Sequence, residues 1–543
     1  MLRSLLPLSV SLVALSAACG GGVREQQSNS NAGSGGHAVC SECMAAGAAG
    51  DRDDASSAGS AGADSADSAE GGAGGEEPAN AAGAGGASDE VGNDGAAIAE
   101  VSFWQTLRIP LELSGSLVAP NAPIISDKDG ILRVYVDPDS EFQARALSAV
   151  LEWGVGADVN SFESKKAIRA ASSHATFAST FNFPLGPEQV AQGSTYSVTL
   201  SDPATGRILD RFPKTEHSPL AAQAVSRSNR LAVVVVPFVV GGITPDTSVA
   251  TLAIFQTRLR SMYPVADVSL TLHPTVTSSI QVGPDKGWDA LLDAVYALRA
   301  ADAPAPDVYY YGLFTPQKSF KDYCVTDCTV GYSIVADADD VESRGSLGLG
   351  IFSDGSNRDA PDTMAHELGH ALGRDHAPCD VSKQDSGPFP YPGGKIGVWG
   401  FDAPHHALLD PALYGDVMGY CSPDWISDFT YSALFERIAL VNAELRAKSL
   451  GPAHTAPAYR RVLLGADGSL SWGSRSIPMR ALSGPVRDVT LLDGGGTALA
   501  TISVIFRRFA DAAGGFFLLP EARIGAPVRS IRVGNTELAL PTP

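Results

Sequence analysis

Eleven residues, from His366 to His376, have the spacing H-E-x-x-H-x-x-G-x-x-H. His366 and His370 lie four residues apart, so a helix would place both imidazoles on one face, where they can bind one metal ion. Glu367 would project beside them, and Gly373 would let the chain leave the helix in a conformation that other residues rarely adopt. The turn would then bring His376 round as a third ligand. Three protein ligands leave one tetrahedral position open, which is typical of catalytic rather than structural zinc.

The residues before the motif have the features of a helix start. Asp362 is the predicted N-cap, Pro361 directly precedes it, and Met364–Leu372 is a helix-forming run. This context favours a metal site over a helix whose histidines are incidental.

Composition limits the fold and the partners. At 543 residues with 44% hydrophobic side chains, the chain is long enough for two or three hydrophobic cores. The formal net charge is −21, but residues 20–100 contain 14 Asp and Glu against 2 Lys and Arg. Most of the negative charge therefore lies in residues 20–100. The negative net charge of the chain argues against nucleic acid as a partner.

The N-terminus has the pattern of an export signal. Arg3 precedes the apolar stretch Leu5–Leu15, which is too short to span a membrane as a mature helix. Ser16–Cys19 resembles the lipobox of bacterial lipoproteins, although the family usually has Leu at the position of Ser16. The resemblance implies cleavage before a lipid-bearing Cys19 and, since Gly20 follows, a protein of the outer membrane or cell surface. An ordinary secretory signal that is cleaved nearby is the alternative.

Residues 20–100 are rich in Gly, Ala, Ser and acidic side chains, and this composition predicts a disordered tether. Within it, Cys40 and Cys43 would form a local disulfide, or less simply supply an inhibitory thiol. Removing Cys19 leaves six cysteines, an even number that predicts disulfides in an exported protein. The favoured pairs are Cys379–Cys421 and Cys324–Cys328, and other pairings remain open.

Three folded regions follow the tether, with an overall mixed α/β class. Residues 101–226 read as a β-sandwich-like domain, residues 227–450 as a domain with a mixed sheet and the metal-binding helix, and residues 451–543 as a small β-rich domain. The N-terminal strands are predicted at Ile131–Val136, Thr176–Phe183 and Thr195–Leu200. The central strands are predicted at Leu231–Val236, Val265–Leu272, Asp307–Phe314, Gly331–Ala336 and Leu347–Phe352. The central helices are predicted at Thr247–Tyr263 and Trp288–Ala300. The C-terminal strands are predicted at Tyr459–Leu464, Val489–Leu492 and Ala498–Phe506.

The eleven-residue motif resembles that of the metzincin zinc endopeptidases, in which a later methionine occupies a tight turn beneath the metal. Asp416–Cys421 fits such a turn, with Met418 at the methionine position and Tyr420 two residues later. Residues 389–402 also resemble segments of exported bacterial metzincins, mucin-cleaving ones included. The strand and helix order extends the resemblance over roughly residues 229–445, and no narrower subfamily is assigned.

The resemblance implies a metzincin-like catalytic domain and an exported zinc metalloendopeptidase that hydrolyses extracellular proteins or glycoproteins. His366, His370 and His376 would bind one zinc ion, and Glu367 would be the general base. Tyr420 would bind zinc or stabilise the transition state, unless it only packs. The alternatives are a non-catalytic binding lipoprotein that keeps the fold, which would not need Glu367, and a metallohydrolase acting on other bonds. Substrate specificity and oligomeric state are not predicted.

Three weaker candidates remain. His405 and His406 could line the cleft, although surface histidines are the simpler interpretation. Asp375 could support the site or lie at the surface. An acidic cluster could bind calcium, although solvated side chains are more usual: Asp337, Asp339, Asp340 and Glu342.

Overall fold

The alternation of short apolar strands and turns in the N-terminal part forms two antiparallel sheets in the computed structural model. The structure describes residues 95–214, 220–221, 229–326, 328–351, 360–381, 386–447, 457–476 and 484–541. The signal segment 1–19, the tether up to residue 94, Cys19, Cys40 and Cys43 lie outside the described residues. The described part falls within one compact unit, Gly86–Pro543. No helix in these described ranges is both long enough and apolar enough to cross a bilayer.

The N-terminal sheets share one hydrophobic core. Ten strands build them: β1 (Ala96–Trp104), β2 (Arg108–Leu113), β3 (Ser116–Leu117), β4 (Gly130–Pro138), β5 (Arg145–Val155), β6 (Asp158–Ile168), β7 (Phe181–Leu185), β8 (Ser194–Asp202), β9 (Arg207–Phe212) and β10 (Leu220–Ala221). The first sheet has the order β3-β2-β1-β4-β7; in the second, the order is β10-β8-β5-β6 and β9 also pairs with β8. Buried aromatic rings meet between the sheets, as where Phe103 stacks on Trp153 at 5.7 Å.

The central region is a mixed sheet with helices, as its alternating pattern predicts. Its first part contains β11 (Arg230–Val239), α1 (Val249–Met262), β12 (Asp267–Leu272), β13 (Val276–Thr277), α2 (Trp288–Asp302), β14 (Val308–Phe314), α3 (Phe320–Tyr323), β15 (Gly331–Tyr332) and β16 (Gly345–Leu349). The sheet has the order β12-β11-β14-β16-β15, with β13 also on β11. All pairs are parallel except β15 with β16, so an antiparallel strand lies at one edge.

The second part of the central region follows the sheet and holds the histidine motif. It contains α4 (Ala360–Ala371), β17 (Gly400–Asp402), β18 (Ala407–Leu409), β19 (Gly415–Asp416), β20 (Asp424–Trp425) and α5 (Asp428–Ala447). Helix α4 packs on β16 and on α1. The N-terminal sheets contact this part through Thr106, whose carbonyl accepts hydrogen bonds from Phe401 N and Trp425 Nε1, both at 2.8 Å.

The C-terminal region forms one seven-stranded antiparallel sheet. Its strands are β21 (Tyr459–Leu464), β22 (Leu470–Ser476), β23 (Val486–Leu492), β24 (Ala498–Arg508), β25 (Gly515–Pro520), β26 (Ser530–Val533) and β27 (Thr536–Ala539). The order is β22-β21-β25-β24-β23-β26-β27. The hairpin of β24 and β25 faces the central sheet, and Ala510 N donates to Ser333 O at 2.9 Å.

Three local predictions are wrong. Thr176–Phe183 is not one strand, because Thr176 Oγ1 accepts from Ala178 N at 3.1 Å and this bond favours a turn over Phe177–Ser179. Gly331–Ala336 is a strand only over Gly331–Tyr332. Helix α4 begins at Ala360, so Asp362 lies in the first turn rather than at the N-cap. The negative charge of Asp362 in the first turn still stabilises the N-terminus of the helix.

The Glu100 carboxylate of β1 links stability to pH. Burial alone would raise its pKa, but Arg108, with two bonds of 2.7 Å, and His174, at 2.9 Å, lower the pKa from its ordinary value of 4.5 to about 2. The folded state therefore favours the charged form. This contribution to stability is complete above the ordinary value and is lost as pH falls toward about 2.

We expect the free energy of unfolding to fall by up to about 3 kcal/mol across this pH window through Glu100 alone. Denaturant titrations at several pH values would measure the slope. Glu100→Gln should flatten it, whereas Glu141→Gln, at an exposed position, should keep the wild-type slope. An unchanged slope in Glu100→Gln would contradict the assignment.

Candidate metal centre

Helix α4 brings the first two histidines together. His366 and His370 lie one turn apart on its buried face, and their Nε2 atoms are 3.0 Å from each other. The helix ends at Ala371, and Gly373 two residues later has a φ of +83°, in the left-handed region. Gly373 N donates to His370 O at 2.7 Å and Arg374 N to Gly369 O at 2.9 Å, which closes the last turn.

The turn after Gly373 carries His376 back to the same point. Its Nε2 lies 3.2 Å from His370 Nε2, so the three imidazoles of the motif converge as their spacing predicts. Ala377 N donates to Met418 O at 3.0 Å, and this bond joins the turn to the segment that contains Met418. The Met418 thioether lies directly against Gly369, beneath helix α4.

The contacts of Nδ1 show which nitrogen of each imidazole is available to bind a metal ion. His366 Nδ1 lies 2.7 Å from Val417 O, and His370 Nδ1 lies 2.6 Å from Arg374 O. A carbonyl only accepts, so each Nδ1 carries the proton and the neutral ring presents a bare Nε2. Two bare Nε2 atoms 3.0 Å apart repel each other unless they share a cation. The donor set therefore fits a metal ion.

A fourth side chain joins the group from the C-terminal sheet. Asp511, in the turn between β24 and β25, completes a set of four metal-type side chains with His366, His370 and His376. Its Oδ2 is buried and has no hydrogen-bond partner in the described part of the chain. Sequence reasoning missed this residue. The one available signal is that Asp511 is the sole acidic residue between Asp493 and Glu521.

Glu367 lies on the sheet side of α4 and is buried. Its carboxylate faces Gly331 of β15 so closely that a Cβ there would overlap it. Burial raises the pKa of the Tyr311 phenol well above its ordinary value, and the nearby charge of Glu367 adds to this effect. The Glu367 carboxylate and the Tyr311 phenol therefore lie near each other in a buried part of the molecule.

The loop that carries Met418 is braced by a disulfide and by a buried carboxylate. Cys379 and Cys421 are bonded, with Cα atoms 5.5 Å apart, as the sequence predicts, and Cys324 bonds to Cys328. Asp416 accepts from Met418 N and Ser427 N, both at 2.9 Å. Burial raises the pKa of Asp416, and these hydrogen bonds oppose the rise.

Tyr420 lies at the mouth of the site. Its hydroxyl is 2.9 Å from His376 Nε2 and donates to Asp511 Oδ1 at 2.8 Å. The side chain is 37% exposed, so Tyr420 is not a core tyrosine. It can reach a group bound beside the three histidines.

Other candidates lie apart from this group. His405 is exposed and bonds to Asp402 at 2.8 Å, while His406 stacks on Phe177 at 4.3 Å. Asp375 is exposed. Two carboxylates of the candidate calcium cluster pair with an arginine. Arg507 lies 2.8 Å from Asp340 and 3.3 Å from Asp337.

Residues 336–421 match the model of the Peptidase M66 family, a segment that includes the three histidines, Glu367, Met418 and Tyr420. No curated protein matches the chain. Among solved structures, one of a chaperone–substrate complex aligns at 14% identity over 50% of this chain and 40% of that chain, with a TM-score of 0.22. Metalloproteinase-II from Bacteroides fragilis aligns at 11% identity over 58% of this chain and 92% of that chain, also with a TM-score of 0.22.

The family match and the converging donor atoms support a metallopeptidase. The two structural alignments have TM-scores too low to add to this conclusion.

Removal of one imidazole should weaken metal binding, because two of the three nitrogen donors cannot hold an ion as tightly. We expect the purified wild-type chain to retain about one metal ion per molecule after dialysis, and His376→Ala to retain much less. Elemental analysis measures the ratio, with His405→Ala as the matched control at an exposed position. Equal metal content in both variants would exclude His376 as a ligand.

Proposed function

We propose that the chain is an exported zinc endopeptidase of the metzincin type that cleaves extracellular proteins or glycoproteins. The observation that carries the proposal is the convergence of His366, His370 and His376 Nε2, with two of the three rings fixed through Nδ1. These three side chains would hold the zinc ion. When bound, zinc supplies Lewis acidity, which polarises a carbonyl and lowers the pKa of water.

Glu367 would serve as the general base. Helix α4 places it next to His366, and its carboxylate is enclosed between that helix and Gly331 of β15. From there it would take a proton from the attacking water and pass it to the leaving amine. A carboxylate that only filled space would not need this position, so the arrangement favours an enzyme over a binding protein with the same fold.

Tyr420 and the edge strand β15 would orient the substrate. The Tyr420 hydroxyl can donate a hydrogen bond to the oxygen that becomes negative in the transition state. Strand β15 is paired on one side with β16, and its Gly331 lies directly against the Glu367 carboxylate. An extended peptide can add to such an edge through main-chain hydrogen bonds, which accept many sequences.

Export and anchoring rest on the sequence. The apolar segment Leu5–Leu15 and the lipobox-like Ser16–Cys19 support a lipoprotein, with the residues between Cys19 and β1 as a tether that would hold the folded part away from the membrane. Metabolic labelling with a palmitate analogue tests this, because a Cys19→Ala variant should lose the label.

Glu367→Gln should abolish cleavage while the metal remains bound. Replacing the carboxylate with an amide keeps the shape of the side chain but removes the proton acceptor. We therefore expect kcat to fall at least about 10²-fold. Hydrolysis of casein and of a mucin-type glycoprotein provides the measurement, with metal content determined in parallel and Glu141→Gln as the control. Metal-loaded wild-type protein that cuts neither substrate would favour the binding-protein alternative.

Tyr420→Phe should lower kcat by about 10²-fold and leave KM nearly unchanged, since the lost hydrogen bond acts mainly in the transition state. Steady-state kinetics on one peptide substrate separate the two constants. Tyr414→Phe, in the same loop but outside the histidine group, should behave as wild type. A rise in KM alone would instead assign Tyr420 to substrate binding.

A further inference from the structure

The turn between β24 and β25 enters the metal centre from the C-terminal sheet. Asp511 Oδ1 lies 3.0 Å from His376 Nε2, 3.5 Å from His366 Nε2 and 3.8 Å from His370 Nε2. The Asp511 carboxylate is thus close to all three Nε2 atoms, although Asp511 follows His376 by 135 residues in the sequence. A surface carboxylate that met the site by chance would contact one ring, not three.

The chemistry of these four side chains is that of a closed site. The Asp511 side chain is 10% exposed, and a carboxylate beside bare imidazole nitrogens is stable only around a cation. Three imidazoles and one carboxylate would together fill a tetrahedral set around one ion, and such a set would leave no position for water or for a substrate carbonyl. Asp511 therefore occupies the position that catalysis requires to be open.

The same turn also occupies the edge of the central sheet. Phe509 forms an antiparallel bridge with Ile334, and Ala510 N donates to Ser333 O at 2.9 Å, directly after β15. These are the main-chain contacts that an extended peptide would make on this edge. The segment Phe509–Asp511 thus lies where the proposed substrate would lie.

Side chains of the hairpin fix it in this place. Phe509 is buried, and its ring centroid is 4.8 Å from that of Tyr332 of β15. Arg507 bonds to Asp340 at 2.8 Å through a pair of buried side chains. Asp511 also accepts the hydroxyl hydrogen bond of Tyr420, so the hairpin engages the proposed oxyanion donor as well.

We propose that the β24–β25 hairpin closes the metal centre as an internal inhibitor, with Asp511 as fourth ligand and Phe509–Asp511 on the substrate edge. This inference rests on the proposed function, since a closed site regulates only if the open site acts on peptides. Peptide cleavage then requires the hairpin to leave the cleft. The apparent affinity for anything that binds the open site is lowered by the fraction of molecules that are open.

The test uses the full chain with cobalt(II) in place of zinc, because cobalt absorbs visible light according to its ligands. The probe is acetohydroxamic acid, which binds a metal with an open position. We expect Asp511→Ala to bind the probe with an apparent Kd at least about tenfold lower than that of wild type. Asp511→Asn should be intermediate, because the amide is a weaker ligand, and Asp493→Asn, in another turn of the same sheet, should match wild type.

Cleavage of casein gives an independent readout. We expect Asp511→Ala to raise the rate of casein cleavage about tenfold over wild type. The double variant Asp511→Ala/Glu367→Gln should show no cleavage. Equal probe affinity in wild type and Asp511→Ala would overturn the inference, provided that both bind cobalt and have the same melting temperature. If the probe affinity rises but neither protein cleaves casein or mucin, the hairpin closes the metal centre and the proposed endopeptidase function fails instead.

Discussion

The candidate site depends on the hydrogen bond between His366 Nδ1 and Val417 O. This bond joins helix α4 to the loop that carries Met418, two segments separated by 51 residues. It also selects the protonation state that leaves Nε2 able to bind a metal. The Cys379–Cys421 disulfide and the Asp416 carboxylate hold the accepting loop, so its backbone geometry determines the orientation of a side chain on the helix.

Much of the site could be predicted because short spacings in the sequence determine where its residues lie. Four-residue separation on a helix places His366 beside His370, and a glycine in the left-handed region returns His376 to the same point. The Cys379–Cys421 disulfide could be predicted because Cys379 closely follows His376 and Cys421 closely follows Met418 in the sequence. The strand and helix pattern gave most of the central sheet, since buried strands read as apolar runs between helices.

What could not be predicted lies in contacts between distant parts of the chain. Asp511 looks like an ordinary turn residue, and only the packing of the β24–β25 hairpin on Ser333 and Ile334 brings it to the histidines. The acidic cluster near Asp340 was only a weak calcium candidate, and its partner Arg507 could not be foreseen because it is far away in sequence. Asp362 was misplaced for a different reason, since helix ends vary by one or two residues.

Because Asp511 lies far after the three histidines in the sequence, it joins the metal centre last as the chain is made. All three histidines leave the ribosome well before the C-terminal sheet is complete, since Asp511 comes 135 residues after His376. An ion that binds early finds three ligands and an open approach, whereas one that arrives late must pass the finished hairpin. If the hairpin closes the site as proposed, metal supply while the chain folds would decide which molecules carry an ion.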